Sequence, residues 1–502
     1  MRPRSRGPGL GRGALPLVLA IAGVAGCGRG GEHPPPPLRV GLYSGPLTRD
    51  PHLIREYITY GVLSSVYEGL VDLDRALVPR PLLAESWESP DRLTWRFHIR
   101  RGVRFQDGRP LDARDVAFSL ERVRRLPTSE YGGYLAPVDS VRALDSETVE
   151  VRTREPAGTL LQKLAIVLIV PRGSPPEIVD PIGSGPYRLT ANAEGFSLRA
   201  NPGYWGPPPP EPEIRLVVVP DAAEARKKLL SGGLDLLWRV APPDAALVDG
   251  VNGCRVVGIP SFAVEVLQMR VSAPPFSDAR VRRAIQLALD RQDLVRAIGN
   301  GRGLPANQLV GRGVLGFVPD LPPPAFDVDG ARRLLAEAGL PPGYEVEMEF
   351  REGRNGVPIQ SQLAAAGLRV RLRPRPWKQM IDRLVAGQVS FYYGAYAADT
   401  GDAGDILRTL LASPASGGGG ARIGYSSPEL DRLLGAADHA PEIRERRAML
   451  EKAMALAMRD LPVVPLIIPE DLYGLGPGVE WTPRPDGRFD ARELRRRRPG
   501  RP

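Results

Sequence analysis

Apolar and polar residues alternate along several short stretches of the chain, in the pattern that predicts β-strands. The alternation is strict over Leu93–Ile99, and a similar pattern begins the chain after residue 37, at Leu38–Tyr43. Further strands are predicted at Thr148–Arg152, Phe196–Ala200, Leu368–Leu372 and Val463–Ile468. The last is a short apolar run of the kind that forms buried strands.

Helical spacing of apolar residues predicts an early helix over Ile54–Leu70. Asp112 precedes a second helix, Ala113–Val123, whose first turn contains Asp115. From about residue 281 the predicted helices become longer and more amphipathic: Val281–Gly299, Ala331–Ala338, Met380–Ala386 and Ile443–Met458. Strands and helices therefore alternate along the whole chain, and the predicted fold class is α/β.

The first 26 residues have the pattern of a secretory signal. Arg2, Arg4, Arg6 and Arg12 precede an apolar run, residues 14–26, that is shorter than the roughly 20 residues of a membrane-spanning helix. The run ends in Val24-Ala25-Gly26-Cys27, which looks like a bacterial lipobox. We expect Cys27 to be lipidated and residues 27–37, rich in Gly and Pro, to form a flexible tether. The alternative is an ordinary signal cleaved elsewhere, with Cys27 incidental.

The formal charge of +9 is concentrated at the two ends of the chain. Four arginines lie in the predicted signal and five lie in residues 495–502, so the remaining body is close to neutral. A nucleic-acid-binding domain requires a basic face, and the composition of the body argues against one. We expect residues 491–502 to be a solvated, disordered tail. Contact of this tail with anionic lipid or an acidic partner is the alternative.

Few residues offer catalytic or metal-binding chemistry. With Cys27 assigned to the lipid, Cys254 has no partner for an intramolecular disulfide. The four histidines have no metal-ligand spacing with one another or with cysteine, and no phosphate-binding loop or nucleophile elbow is present. The sequence therefore predicts no metal, no cofactor and no enzymatic activity.

Short motifs occur along the chain in a characteristic order. In the first half these are Asp50-Pro51, Tyr67-Glu68-Gly69-Leu70, Leu83-Ala84-Glu85-Ser86-Trp87, Gly102-Val103-Arg104-Phe105-Gln106-Asp107-Gly108, Gly183-Ser184-Gly185-Pro186-Tyr187 and Asn201-Pro202-Gly203-Tyr204-Trp205. In the second half they are Pro275-Phe276-Ser277-Asp278-Ala279-Arg280-Val281-Arg282-Arg283-Ala284-Ile285, Leu289-Asp290-Arg291 and Pro428-Glu429-Leu430-Asp431. In these motifs the chain resembles the family 5 extracellular solute-binding proteins, which include peptide-binding and nickel-binding components of ABC importers.

The resemblance implies a two-lobed fold of the type II periplasmic-binding-protein kind, with an extra inserted domain and a ligand cleft between the lobes. We expect residues 38–78, 183–268 and 462–490 to form lobe I, residues 79–182 to form a subdomain inserted into it, and residues 269–461 to form lobe II. Two hinge segments are expected, near Val264–Val271 and Leu461–Ile467. Ligand would close the lobes because it contacts both of them only in the closed form.

The resemblance also implies a function and a site. We expect an extracytoplasmic, lipid-anchored monomer that captures peptides, or a similar ammonium-bearing solute, and delivers them to an ABC permease. In peptide-binding relatives a strand ends in residues that match Ala395, Tyr396, Ala397 and Asp399 here, and the Asp pairs with the ligand's α-ammonium. Tyr43 and Asp402 are further expected ligand contacts. Tyr396 stands where the family often has Trp, which bears on pocket size.

Several alternatives stay open from sequence. Asp399 would also fit a turn, as a carboxylate that accepts backbone N–H groups. The solute would also fit other classes, such as a nickel complex, haem or an oligosaccharide, and the protein would fit a ligand sensor. A hydrolase using Asp399 and Asp402 is disfavoured, because no nucleophile, base or metal set accompanies them.

Overall fold

The computed structural model of the protein describes residues 36–497, except residues 55, 399, 414–417 and 441. Several sequence predictions therefore lie outside the described residues. They are the signal over residues 1–26, most of the tether, the lipidation of Cys27, the ligand contact by Asp399, and residues 498–502 of the tail.

The strands and helices of the described residues alternate along the chain. The strands are β1 (Leu38–Leu42), β2 (Val71–Leu73), β3 (Pro79–Pro81), β4 (Ala84–Asp91), β5 (Thr94–Ile99), β6 (Val138–Ala143), β7 (Thr148–Thr153), β8 (Tyr187–Asn192), β9 (Gly195–Ala200), β10 (Glu213–Val218), β11 (Leu236–Leu237), β12 (Arg255–Pro260), β13 (Ala263–Met269), β14 (Leu304–Pro305), β15 (Tyr344–Arg351), β16 (Leu368–Arg375), β17 (Phe391–Ala397), β18 (Val463–Ile468), β19 (Glu470–Leu475), β20 (Val479–Glu480) and β21 (Arg495–Arg496). The helices are α1 (Tyr57–Leu63), α2 (Ala113–Arg125), α3 (Leu160–Ile166), α4 (Ala222–Leu230), α5 (Ala245–Val248), α6 (Ala279–Leu287), α7 (Arg291–Gly299), α8 (Val328–Glu337), α9 (Val357–Ala365), α10 (Trp377–Val385), α11 (Ala403–Leu411), α12 (Pro428–His439) and α13 (Ile443–Asp460).

The first lobe is built on a sheet with the strand order β12-β19-β11-β1-β10-β9-β8. Its central strand β1 runs parallel to β10 and β11, with Leu38 opposite Ile214, while the outer pairs are antiparallel. Leu38, Val40 and Leu42 of β1 are buried in the large core of this lobe. The apolar pattern that predicts the first strand therefore also places it at the centre of the sheet.

An antiparallel sheet with the order β4-β5-β7-β6 adds a subdomain to this lobe, and all its strands lie within residues 79–182. Helix α2 packs against β6 and β7. Its N-terminus is held by a capping box, in which the side chains of Asp112 and Asp115 each accept a backbone N–H of the first turn. The acidic pair in the sequence therefore marks the start of this helix.

The second lobe is built on a sheet with the order β14-β18-β13-β17-β15-β16. Two separate apolar clusters pack against it, one containing Val264 and Val266 and the other containing Leu267 and Met269. Covered on both faces, β18 is a continuous apolar run and β13 is apolar at five of its seven positions, as expected of buried central strands. This corrects the expected lobe boundaries at residues 268 and 462, because β13 and β18 both belong to the second lobe.

The expected hinge segments are corrected for the same reason. Residues 264–269 and 463–467 are hydrogen-bonded within the second sheet and are not free to rotate. The chain instead crosses between the lobes at Ser261 and Phe262 and again at Pro469, where Ser261 N donates to the carbonyl oxygen of Pro469 at 2.9 Å. Residues 255–269 and 463–475 thus form a two-stranded ribbon that links both sheets.

Two predicted helices are shorter than their apolar spacing indicates. The first ends at Leu63 rather than Leu70, because the carbonyl oxygens of Ser65 and Val66 accept from residues 187 and 185 instead of continuing the helix. The helix expected over 281–299 is two helices, since Asp290 caps a new helix by accepting from the backbone of Gln292 and Asp293.

The expected disordered tail is ordered as far as residue 497. Strand β21 pairs with β20, and Arg496 N donates to the buried carboxylate of Glu211 at 2.9 Å. Arg492 forms ion pairs with Asp490 and Asp72. Residues 491–497 are held because buried carboxylates elsewhere in the first lobe receive their arginines.

We predict that His52 makes the stability of the protein depend on pH. His52 is buried, with Nε2 donating to the carbonyl oxygen of Leu168 and Nδ1 accepting from Arg122, which also pairs with Asp50. Burial lowers the pKa of His52 to about 4. The unfolded chain takes up a proton near pH 6.5, so the free energy of unfolding should fall by about 3 kcal/mol on this account as the pH falls from 6.5 to 4.

Urea unfolding between pH 7 and pH 4.5 measures this effect. In His52→Gln the loss of stability toward low pH should be smaller than in the wild type. His439→Gln, on the exposed end of α12, is the matched control and should keep the wild-type dependence. Parallel curves for wild type and His52→Gln would contradict the prediction.

Candidate functional site

The two lobes face each other across a cleft beside the ribbon. Large apolar side chains are exposed on both sides of it: Tyr43 (48%) and Tyr57 (41%) on the first lobe and Trp377 (49%) on the second. The positive charge of Arg351, at the end of β15 in the second lobe, acts on the phenol of Tyr43 in the first. Tyr43 and Arg351 therefore mark the two walls of the cleft.

The first-lobe wall is fixed by Glu56. Its carboxylate accepts from the backbone N–H groups of Ile58 and Thr59 and so caps α1. It also accepts from the Tyr43 hydroxyl at 2.9 Å. Burial and the charge of Glu56 raise the pKa of Tyr43 to about 12, so the phenol keeps its proton. Tyr43, an expected ligand contact, thus lies at the cleft with its O–H donated to Glu56.

An ion pair stands next to this wall. Arg239 follows β11 in a left-handed conformation (φ 71°) and pairs with Asp471 of β19. The guanidinium of Arg239 lies over the ring of Tyr57, 5.7 Å from its centroid. Because the charge of Arg239 also acts on Tyr43, this ion pair and the two tyrosines belong to one surface.

The second-lobe wall contains β17, whose side chains alternate between its two faces. Tyr392 and Tyr396 lie on the face toward α10, with ring centroids 6.4 Å apart, and the Tyr396 hydroxyl donates to Gln268 at 2.7 Å. Tyr393, Ala395 and Ala397 occupy the other face. The ring of Tyr396 is therefore packed within the second lobe, while Ala395 and Ala397 present only small, partly buried side chains.

A charged cluster lies behind these alanines. Glu265 of β13 stands opposite Ala395 and accepts from Arg354 at 3.0 Å and from the Tyr393 hydroxyl. The Arg354 guanidinium also lies 5.4 Å from the centroid of the Tyr393 ring. Burial and the charge of Glu265 raise the pKa of Tyr393 above its ordinary range, which keeps its proton on the bond to Glu265.

Half of β17 has a free backbone edge. β13 pairs with β17 over its whole length, but β15 pairs only with Tyr392 and Tyr393. From Gly394 to Ala397 no strand of the described residues lies on the β15 side. An extended ligand can add to such an edge by main-chain hydrogen bonds. Asp399 follows two residues after β17 but lies outside the described residues.

Two cleft residues were missed by sequence reasoning. Arg351 ends β15 with its guanidinium 5.4 Å from the centroid of the Trp377 ring, and it forms no ion pair with any side chain that the structure describes. Trp377 opens α10 and is half exposed. The only sequence signal was a Trp directly after Pro376 on an amphipathic helix, and the face it shares with Arg351 appears only when β15 and α10 meet.

Asp402 does not face the cleft with a free carboxylate. It is buried, caps α11 by accepting from Gly404 N at 2.7 Å, and receives Arg446 in a two-pronged ion pair at 2.7 and 2.9 Å. Both oxygens are therefore engaged inside the second lobe. This geometry gives Asp402 a structural role beside the expected site.

Within residues 36–497, leaving out the gaps given above, no group of three or more His, Cys, Asp or Glu side chains is placed to hold a metal ion. None of the helices described is both long and apolar enough to cross a membrane.

The chain is similar in sequence to several known proteins. The sequence profile of the bacterial extracellular solute-binding proteins, family 5 (middle region), matches residues 78–418. The glutathione-binding protein GsiB of Salmonella paratyphi A is 28% identical over 447 residues, 84% of this chain and 86% of that protein. The dipeptide-binding protein of Escherichia coli K12 is 25% identical over 455 residues, 82% of this chain and 85% of that protein.

Solved structures share the fold. HbpA2 from Haemophilus parasuis superposes with a TM-score of 0.83 at 23% identity, covering 92% of this chain and all of that one. The periplasmic binding protein DppA from Helicobacter pylori, in complex with the peptide STSA, gives a TM-score of 0.78 at 23% identity, covering 91% of this chain and 98% of that one. At this identity the likeness establishes the two-lobed architecture.

We predict that Arg446 stabilises the second lobe through Asp402. Removing one partner of a buried ion pair leaves the other charge unpaired, which costs about 3–5 kcal/mol. Arg446→Met should lower the free energy of unfolding by about this amount, measured by urea unfolding. Arg444→Met, an exposed position on the same helix, should change it by less than about 0.5 kcal/mol. Equal losses in the two variants would argue against the structural role of Asp402.

Proposed function

The chain belongs to the bacterial extracellular solute-binding proteins of family 5, and from this premise we propose that it captures a short peptide in its cleft. Membership confirms the resemblance inferred from the motifs and the two-lobed α/β fold. It gives the chain the role of an extracytoplasmic solute-binding protein that serves import through an ABC transporter. The nature of the solute is the proposal.

The free edge of β17 is the observation that supports a peptide best. Residues 394–397 offer main-chain donors and acceptors to an extended ligand, and the small side chains of Ala395 and Ala397 leave room beside them. Main-chain pairing of this kind gives affinity without dictating the ligand's side chains. The names of two relatives, a glutathione-binding and a dipeptide-binding protein, support the same class of ligand.

Charges at the two ends of this edge fit a ligand with free termini. We assign the α-ammonium group to Asp399, just after β17, by a charge-assisted hydrogen bond. Arg351 has no anionic partner in the described part of the chain and lies next to the cleft, so it suits the α-carboxylate. Opposite charges on protein and ligand favour one orientation of the peptide and disfavour the reverse. The protein acts by binding and closure, with no bond made or broken.

We predict that the two ends of the peptide depend on different residues. Asp399→Asn should weaken binding of a dipeptide by more than about 1.5 kcal/mol, because the bound ammonium group of the ligand loses its charged partner. It should have little effect on the same dipeptide with an acetylated N-terminus. Arg351→Gln should weaken binding of the free acid and have little effect on the C-terminal amide. Isothermal titration calorimetry on the purified variants measures all four combinations: Asp399→Asn with the free and the N-acetylated dipeptide, and Arg351→Gln with the free acid and the C-terminal amide.

Asp382→Asn, an exposed carboxylate on α10, is the matched control and should bind all these ligands as the wild type does. Wild-type affinity in Asp399→Asn would contradict the proposed contact with the ammonium group and favour the alternative that Asp399 caps a turn. Stabilisation of the protein by a neutral sugar, a nickel complex or haem, but by no peptide, would contradict the proposed ligand class.

We further propose that the protein is held at the membrane through lipid on Cys27. The expected consequence is that Cys27→Ser moves the protein from the membrane fraction to the soluble fraction after cell lysis. Cys254→Ser is the control, since Cys254 is buried in the first lobe and should leave the distribution unchanged. Continued membrane association of Cys27→Ser would argue for another means of attachment.

A further inference from the structure

A cavity of about 100 Å³ lies in the first lobe beside the cleft, and four tyrosines line it. They are Tyr57 and Tyr60 from α1 together with Tyr131 and Tyr134 from the segment after α2. Leu73 and Ile166 complete its apolar lining. We call it the tyrosine cavity. Its walls come from separate parts of the first lobe, brought together by the inserted subdomain.

Tyr57 connects the tyrosine cavity to the cleft. Its ring lines the cavity and also lies under Arg239, whose charge reaches Tyr43 on the cleft wall. Glu56, the residue before it, binds the Tyr43 hydroxyl. A ligand lying along the cleft wall at Tyr43 therefore has the cavity within one side chain's reach.

The two charged side chains that line the tyrosine cavity in the described structure, Asp486 and Arg488, are paired inside the protein. Asp486 accepts from Arg488 at 2.7 Å and from Arg484 at 3.1 Å. Arg488 also reaches Asp72, and its guanidinium lies 5.9 Å from the centroid of the Tyr60 ring. Among the described residues that line the cavity, no carboxylate or guanidinium is left over to compensate a charge brought in by a ligand. A charged ligand group would lose its water without gaining a partner, which is costly.

Two of the four tyrosine hydroxyls are engaged as well. Arg488 contacts the Tyr60 hydroxyl at 3.5 Å, and the Tyr131 hydroxyl donates to the carbonyl oxygen of Ile54 at 3.3 Å. The rings of Tyr131 and Tyr134 have centroids 6.3 Å apart and are tilted by 52°. A ligand in the cavity would therefore contact mainly the aromatic rings, whose tilted arrangement allows a further aromatic ring to pack against them.

We infer that the tyrosine cavity binds a neutral aromatic side chain of the captured peptide. This inference rests on the proposed function and narrows it from peptides in general to peptides with an aromatic residue at one position. At about 100 Å³ the tyrosine cavity is smaller than the roughly 150 Å³ of an enclosed cavity that accepts benzene, so an aromatic ring enters it in part and rests against the exposed wall at Tyr57. A cationic side chain is disfavoured, although tyrosine faces attract cations, because Arg488 already lies at the Tyr60 ring and Arg239 lies over Tyr57.

A scan of tripeptides tests the inference. Tri-alanine is compared with peptides that carry Phe, Lys or Glu at each position in turn, by calorimetry on the purified protein. Phe at one position should tighten binding about tenfold or more, as burial of a large apolar side chain predicts, and Lys or Glu at that position should not. Equal affinities for Phe and Ala at every position would overturn the inference and leave peptide capture intact.

Filling the cavity supplies the matched variants. Ile166→Trp should abolish the preference for Phe while binding tri-alanine as the wild type does. Ile443→Trp, at an exposed position of α13, is the control and should keep the preference. Tyr57→Ala, an exposed wall residue whose loss does not open the core, should also reduce the preference. A preference for Phe that survives both cavity variants would place the aromatic group elsewhere.

A ligand without a peptide backbone separates this inference from the proposed function. Fluorobenzene should show broadened ¹⁹F resonances with the wild type and with Ile443→Trp, but not with Ile166→Trp. This outcome supports binding of a neutral aromatic group in the tyrosine cavity even if no peptide binds. In that case the proposed peptide capture fails, and the aromatic site in the cavity is retained. No broadening with the wild type would overturn the inference whatever the peptides do.

Discussion

The hydrogen bond between Ser261 N and the carbonyl oxygen of Pro469 joins the only places where the described chain passes from one lobe to the other. On one side of it β12 pairs with β19 in the first sheet, and on the other β13 pairs with β18 in the second. Phe262 packs against the cores of both lobes at this point. We therefore expect each lobe to move as a packed unit, with closure requiring dihedral changes at only a few residues.

A second constraint holds the first lobe together from the far end of the chain. Arg484, Arg488, Arg492 and Arg496 recur every four residues, and each meets a carboxylate that is buried in the first lobe. Asp72 receives both Arg488 and Arg492, which keeps the pKa of Asp72 low, at about 2, against the effect of its burial. Because Arg488 also stands at the tyrosine cavity, the C-terminal segment helps to shape the wall that we assign to ligand.

Local patterns in the sequence predicted what local forces decide. Alternation located β5, and the acidic pair Asp112 and Asp115 located the start of α2, because strand pleating and helix capping involve only near neighbours. The family motifs predicted the two lobes. The apolar pattern of β13 and β18 could not decide which sheet they join, since a buried strand has the same apolar pattern in either lobe. The misplaced hinges follow from this one ambiguity.

The errors at single residues have a different cause, which is partners distant in sequence. Asp402 was expected at the ligand, yet Arg446 occupies both its oxygens. The ordered part of the tail depends on Asp72 and Glu211, hundreds of residues earlier. Arg351 and Trp377 come into contact only when β15 and α10 pack together. No pattern in the sequence predicts that contact.

Closure and ligand charge are physically linked at the cleft. Arg351 lies over Trp377 without an anionic partner in the described chain, and its charge acts across the cleft on Tyr43. We expect closure of the lobes to remove water from this guanidinium. The Tyr43 hydroxyl already donates its proton to Glu56. Its oxygen can still accept a hydrogen bond, but it carries no negative charge to balance the Arg351 guanidinium. An unpaired guanidinium opposes closure, because desolvating a charge without a partner costs free energy. A ligand carboxylate that removes this cost binds the closed form better than the open form, and only such a difference in affinity can drive the lobes together.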